Sequence, residues 1–234
     1  NGGGYADYVL AEEDFALPLP AGLGLREGAA LPEALFTAWH NIVDLCGLQR
    51  GDVLLVHGGA SGVGVLTIQL GRLLGARVFA TAGSDERCAF AERLGAARCF
   101  NYRTQDFAAG VMEATQGHGA DVILDMAGGL YAEKNLKALA RGGRISHLSS
   151  GGPAYSAPLN LIMQKEARIT GSLLRPLEHA RKRSIAEKLV KSVWPELGGA
   201  IIPVVDVVLP LDQAAEAHRR MEGGMNVGKI LLEA

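Results

Sequence analysis

Apolar and polar positions along this chain switch between two periods, and the switches divide it into short strands and amphipathic helices. The run Val53-Leu54-Leu55-Val56 is continuous and apolar, the pattern of a strand buried on both faces. It meets a cluster of small residues, 58–64. Beyond the cluster Val65, Leu66, Ile68, Leu70, Leu73 and Leu74 recur at helical spacing up to Gly75. The alternation then repeats, with strands predicted over 77–82, 98–102, 120–125, 143–148 and 168–174 and helices over 85–94, 106–115 and 131–139. Upstream, 5–10 reads as a strand, followed by an acidic turn and a second short strand. Residues 33–45 read as a helix with Leu35, Trp39, Ile42 and Val43 on its apolar face and Gly47 as its stop. Downstream lie a long charged helix over 178–194, a strand over 204–209, a helix over 212–221 and a strand over 228–232. Strands alternating with helices at this spacing predict an α/β fold with a doubly wound parallel sheet of Rossmann type. The last segment does not extend the series and is assigned to another layer or domain.

The turn between the first strand of this series and its helix carries candidate chemistry. Gly59-Ala60-Ser61-Gly62-Val63-Gly64 follows the dinucleotide fingerprint Gly-x-Gly-x-x-Gly with Ser61 in place of the second glycine. Glycines let the backbone approach a pyrophosphate, and the helix N-terminus offers free N–H groups and the positive end of its dipole. Serine is small, and its hydroxyl can donate to a phosphate. The plain alternative is a tight turn with no ligand. The second strand ends at Ala82-Gly83-Ser84 without the carboxylate that NAD sites use for the ribose hydroxyls, and Arg87 follows within a turn. That favours NADP(H), while Asp85 and Glu86 keep NAD(H) open.

Bulk composition narrows the rest. At 234 residues and 48% hydrophobic content the chain holds a substantial core, and its 31 glycines, against a usual share of about 7%, suit many short turns. A net charge of −2 without a Lys/Arg cluster gives no support to nucleic-acid binding; the run Arg181-Lys182-Arg183 reads as a solvated helix face. Cys46, Cys88 and Cys99 show no Cys-x-x-Cys spacing, which predicts reduced thiols and a cytoplasmic setting. No stretch approaches the ~18 apolar residues of a membrane span. The start at Asn1, without methionine, reads as a cut in a longer protein.

Several motifs in order then carry a family likeness: Gly4-Tyr5-Ala6-Asp7-Tyr8-Val9, Leu31-Pro32-Glu33-Ala34, Gly62-Val63-Gly64, Thr81-Ala82-Gly83-Ser84, Phe100-Asn101-Tyr102, 123–129, 172–175 and Gly228-Lys229-Ile230. Together they resemble the zinc-free quinone oxidoreductase branch of the medium-chain dehydrogenase/reductase superfamily, over essentially the whole chain. The resemblance implies a GroES-like β domain interrupted by the nucleotide domain. Residues 1–32 and 203–234 would be its remnants, 33–202 the NADP-binding Rossmann domain, and most of the catalytic half would lie upstream.

The same resemblance implies where a cofactor sits. The glycine loop (Gly59, Ser61, Gly62, Val63, Gly64) would hold the pyrophosphate, and Gly83, Ser84, Arg87 and Tyr102 the adenosine phosphate. Thr37, Ala127, Leu148, Ser149, Ser150, Leu173, Leu174, Arg175 and Asn226 would line the remainder, toward the nicotinamide. For Thr37 and Ser149 ordinary turn or helix-end hydrogen bonding is the alternative, and for Arg175 a surface ion pair. The implied activity is NADPH-dependent reduction of a quinone. An enoyl or alkenal reductase, or a non-catalytic nucleotide-binding structural relative, are the alternatives. No catalytic residue is assigned within the chain. Zinc-dependent relatives have a ligand cysteine where Glu33 stands, and His40 and His57 read as structural, so no metal is expected. Family members pair strand 168–174 across a two-fold axis, which predicts a homodimer.

Overall fold

A computed structural model describes residues 3–149 and 154–234. Six strands, β1 (Val53–Val56), β2 (Arg77–Ala82), β3 (Arg98–Asn101), β4 (Ala120–Asp125), β5 (Leu139–His147) and β6 (Arg168–Gly171), form one parallel sheet in the order β3-β2-β1-β4-β5-β6. The order reverses between β1 and β4, the switch point outside which such sheets bind ligands. Successive residues point to opposite faces. Leu54 and Val56 pack with helices α2 (Pro32–Ala38), α3 (Gly62–Leu73) and α8 (His179–Ser192), and Leu55 and Phe79 pack with α5 (Phe107–Ala114) and α6 (Ala132–Ala138). Burial on both faces is why the strands read as unbroken apolar runs.

The hydrophobic pattern located these elements well, with five corrections. Residues 5–10 are not a strand: Tyr8 is 93% exposed, and no neighbouring strand offers its backbone a ladder. The second short strand predicted after it is likewise absent among the described residues, a 3-10 turn (Glu13–Phe15) standing there. β5 begins four residues earlier than predicted, because Leu139 and Ala140 are buried in the sheet while Arg141 and Gly142 interrupt the apolar run on the page. β6 ends at Gly171, short of the predicted 174, and the chain from Ser172 leaves the sheet edge toward the switch point. A helix that the pattern did not announce, α7 (Leu159–Lys165), seats Leu161 and Ile162 on the second core, and Glu166 ends it in left-handed backbone.

The helix predicted over 33–45 is α-helical only as far as Ala38 and continues as a π-helical turn, Trp39–Leu45. Asn41, on its buried face, donates to the Thr37 carbonyl at 2.8 Å and accepts from Ser146 at 2.6 Å and Ser172 at 3.0 Å. One amide thus ties this helix to β5 and to the segment after β6.

The final segment forms its own unit, with β7 (Val205–Pro210) and β8 (Lys229–Glu233) pairing in parallel across helix α9 (Ala214–Glu222). Its join to the main sheet is local: the Gly228 N–H donates to the Ala60 carbonyl at 2.8 Å. Helices α1 (Leu25–Ala29) and α4 (Asp85–Arg93) complete the set. No helix among the described residues is long and apolar enough to cross a membrane.

Candidate functional site

The glycine loop closes β1 and opens α3. The three glycines of the fingerprint meet different neighbours. Gly59 donates to the Thr81 carbonyl at 2.8 Å, and a Cβ on it would lie 2.8 Å from that of Ala80, so it lets the turn pack on β2. A Cβ on Gly64 would run into the Gly58 carbonyl oxygen, which makes it the position where helix and strand come closest. A Cβ on Gly62 would lie 2.6 Å from Cδ of Lys229, on the open side of the loop. Ser61 caps α3: its Oγ accepts from the Gly64 N–H at 3.0 Å and faces Met126 Sδ at 3.5 Å. The cap uses a lone pair of the hydroxyl oxygen, and the O–H proton, now turned to the weak thioether acceptor, remains a donor for a phosphate. The remaining first-turn N–H groups of α3 point out of its N-terminus.

Outside the loop lies a cavity of about 540 Å³ between the main sheet and the segment 221–230. Gly62, Val63, Gly83, Arg87, Tyr102 and Asn226 all border it, with Lys229 as a cation the sequence reading did not assign. Ser84 caps α4 by accepting from the Arg87 N–H at 3.3 Å, and the Arg87 guanidinium reaches across to the Gly224 carbonyl. A Cβ on Gly83 would lie 2.6 Å from the Tyr102 hydroxyl, so glycine lets the tyrosine lie against the end of β2. Asp85 is turned away from this cavity and accepts from Asn101 Nδ2 at 2.7 Å. Neither it nor Glu86 borders the cavity, so arginine and not carboxylate faces its strand-two end.

Val63 and Met126 also border a second cavity of about 230 Å³, shared with Glu33, Thr37, Leu148, Ser149, Leu173 and Leu174. These residues come from five separate elements, and the switch point brings them together. Thr37 donates to Glu33 Oε1 at 3.2 Å. A wider groove of about 730 Å³ continues outward past Phe36 and Leu173, and Arg175 belongs to this groove and not to the inner cavity. Ala127 borders neither cavity; its N–H donates to Asp125 Oδ1 at 2.6 Å. Asn226 Nδ2 donates to the Gly228 carbonyl at 2.9 Å, shaping the last loop. Ser150 lies outside the described residues.

Beneath both cavities runs a buried polar chain that sequence reasoning missed. Asn135 donates from Nδ2 to Asp125 Oδ2 at 2.9 Å, so its Oδ1 accepts from His57 Nε2 at 2.7 Å. His57 Nδ1, 3.0 Å from Thr81 Oγ1, is left to accept. A neutral imidazole satisfies both contacts, with the Thr81 hydroxyl donating to Nδ1. Burial pushes the His57 pKa down, against the smaller opposing pull of the Asp125 charge and the Asn135 hydrogen bond. Burial alone would raise the Asp125 pKa, but the hydrogen bond from His147, the nearby His57 and the Ala127 N–H together hold it below its ordinary value. Asp125 also caps the turn at Gly128 N–H, 3.2 Å away, and so fixes the loop that carries Met126. The legible signal was a carboxylate at the end of an otherwise apolar strand.

The cavity fits a nicotinamide dinucleotide by its glycine cradle, its helix N-terminus and its two cations. Among the described residues no three His, Cys, Asp or Glu side chains converge on one point, and Glu33 is engaged by Lys229 and Thr37.

Residues 62–191 match the family model for zinc-binding dehydrogenases. The chain is similar to mouse quinone oxidoreductase, 33% identical over 233 residues that make up 98% of this chain and 69% of that protein. Among solved structures, an NAD-dependent alcohol dehydrogenase is 37% identical with a TM-score of 0.89, covering 99% of this chain and 65% of its own. The Thermus thermophilus quinone oxidoreductase, solved alone and with NADPH, is 29% identical with a TM-score of 0.88, covering 99% of this chain and 74% of its own. The chain thus spans about two thirds of the length of these relatives.

Proposed function

The chain belongs to the zinc-binding dehydrogenase family of the medium-chain dehydrogenase/reductase superfamily, and from that membership we propose that it serves an NADPH-dependent quinone oxidoreductase. A nicotinamide cofactor is supported at family level, by similarity to a quinone oxidoreductase solved with NADPH. The observation that carries the choice of NADPH is the pairing at the end of β2. Arg87 and Tyr102 border the cavity while Asp85, the residue best placed to accept ribose hydroxyls, is tied to Asn101. A 2′-phosphate beside Arg87 gains charge-assisted hydrogen bonds, and a 2′-hydroxyl finds no carboxylate.

The bound cofactor supplies hydride chemistry; the chain supplies a shaped, poorly hydrated place for it. Val63, Leu148, Leu173 and Leu174 give the inner cavity an apolar wall. Thr37 and Ser149 are among the polar groups on that wall, beside Glu33 and Ser172, and would orient a carboxamide. A quinone accepts hydride readily and takes its proton from solvent, so the reading requires no strong acid among these residues. The outer groove past Phe36 and Leu173 is wide enough for a planar ring.

Two assays on the purified protein test the assignment. Loss of NADPH absorbance is expected with an ortho-quinone and is expected to be much slower with NADH. Turnover of 2-alkenals with no turnover of ortho-quinones would replace this reading with the alkenal reductase alternative.

A further inference from the structure

The run Arg181-Lys182-Arg183 reads in the sequence as one solvated helix face, and the fold divides it. Arg183 pairs with Glu187 and with Asp14. Arg181 borders a separate cavity with His40 and Asp44. Lys182, half-buried, is the member of the run that borders the outer groove. There its Nζ donates to the Arg175 carbonyl at 2.8 Å, which brings a second cation to the same rim. Neither Lys182 nor Arg175 has a carboxylate within ion-pair distance among the described residues, Glu178 at the head of α8 included. Arg175 is thus neither a lining residue of the inner cavity nor half of a surface ion pair.

The other end of the groove has the opposite character. Leu173 and Leu174 border the groove and the inner cavity alike, so the two spaces form one path. Glu33 is the carboxylate on that path, and Lys229 and Thr37 already engage it. The groove is therefore apolar and charge-compensated toward the inner cavity and cationic, without a counter-ion, at its rim. Two like charges held at one rim favour an anion between them, and the apolar wall beside them strengthens their field. A flat ring on Phe36 and Leu173 would place a substituent on its outward edge toward that rim.

We propose that the outer groove selects acceptors whose planar ring carries an anionic substituent, a carboxylate or a sulfonate, and that Arg175 and Lys182 read that charge. The proposal rests on the quinone reading of this site and narrows its substrate class. Arginine offers a planar fork to two oxygens, and lysine adds a compact point charge. A lysine that merely fastens the segment after β6 would make the same bond to the Arg175 carbonyl. In that role its loss lowers stability and leaves the choice between charged and neutral rings as it was.

The test compares initial rates with NADPH for an unsubstituted ortho-naphthoquinone and its ring-sulfonated counterpart, at low and high salt. The sulfonate also withdraws electrons from the ring, an effect that salt does not screen, so the comparison is made on KM and on its salt dependence. The sulfonated quinone is expected to show a KM lower by about fivefold at low salt, the scale of exposed charge contacts, with the advantage shrinking as salt rises. Lys182→Met and Arg175→Met are each expected to lose about half of that advantage or more, Lys182→Glu to reverse it and Lys182→Arg to keep it. Melting curves verify folding, and Lys182→Glu against Lys182→Arg carries the test if Arg175→Met does not fold. Equal KM values for the two quinones in the unaltered chain at low salt would overturn the proposal and leave the quinone reading standing. So would an advantage that persists when both cations are replaced by methionine. Turnover of neither quinone would overturn both.

Discussion

Arg87 and Asp85 stand two positions apart at the start of α4, and the fold turns them to opposite duties. Ser84 caps the helix through the Arg87 N–H, the arginine side chain reaches over the cavity to Gly224, and Asp85 is bonded to Asn101 on β3. The sequence displayed both charges and left NAD(H) and NADP(H) in competition; the asparagine that withdraws the carboxylate lies in another strand. Arg87→Ala is therefore expected to weaken NADPH binding by about tenfold or more, the scale of a lost charge-assisted pair, and to leave NADH binding nearly unchanged. Equal losses for the two cofactors in a direct titration would show that Arg87 serves the fold and not the 2′-phosphate. Ser61 carries a similar lesson. Its hydroxyl was legible as a phosphate donor, and the fold adds a second duty, the cap of α3, in which the oxygen accepts.

At the scale of elements, strands buried on both faces were the most legible feature, because burial leaves no polar position to blur them. β1, β2 and β4 have the bounds that the apolar runs predicted. What the pattern could not show is how strand ends are joined beneath the site. His57 follows β1, Thr81 belongs to β2, Asp125 ends β4 and Asn135 sits on α6, and together they form one hydrogen-bonded chain. Its pH dependence follows from the directions of the shifts. His57 is held neutral with its pKa lowered by burial, so its contribution is complete above its ordinary value of about 6.5 and is lost as pH falls below that. Asp125, also lowered, keeps its contribution above the ordinary carboxylate value of about 3.9 and loses it below. The melting temperature is expected to drop between pH 7 and 5 through His57 and again below pH 4 through Asp125. His57→Gln should flatten the first drop and leave a reduced second one, since His147 and the Ala127 N–H still hold the Asp125 pKa down. A first drop of unaltered size in that variant would remove His57 as its source.

For the whole molecule, the sheet has two edges, and β6 is the one next to the segment that borders the inner cavity. It pairs with β5 on one side, and Ile169 remains partly exposed on it. An uncovered edge strand is a template for a second copy. We propose a homodimer through residues 168–171, shorter than the span first predicted, which would continue the sheet from one protomer into its partner. Light scattering at tens of micromolar is expected to report twice the chain mass, and Ile169→Lys to shift it toward one. A monomer in the unaltered chain would dispose of the idea.

The chain's own order of residues determined the alternation of strands and helices, the α/β class, and the position of the glycine turn. All of these follow from local backbone sterics and from periodicity over a few residues. Tertiary structure alone decided which charges face the cavity. Asp85 leaves it for Asn101, Lys229 meets Glu33 across nearly the whole chain, and Asp125 finds Asn135 on α6 and His147 on β5. The physical reason is that a buried or bridging polar group takes its meaning from the partner that offsets its desolvation, and that partner is chosen by how the layers stack.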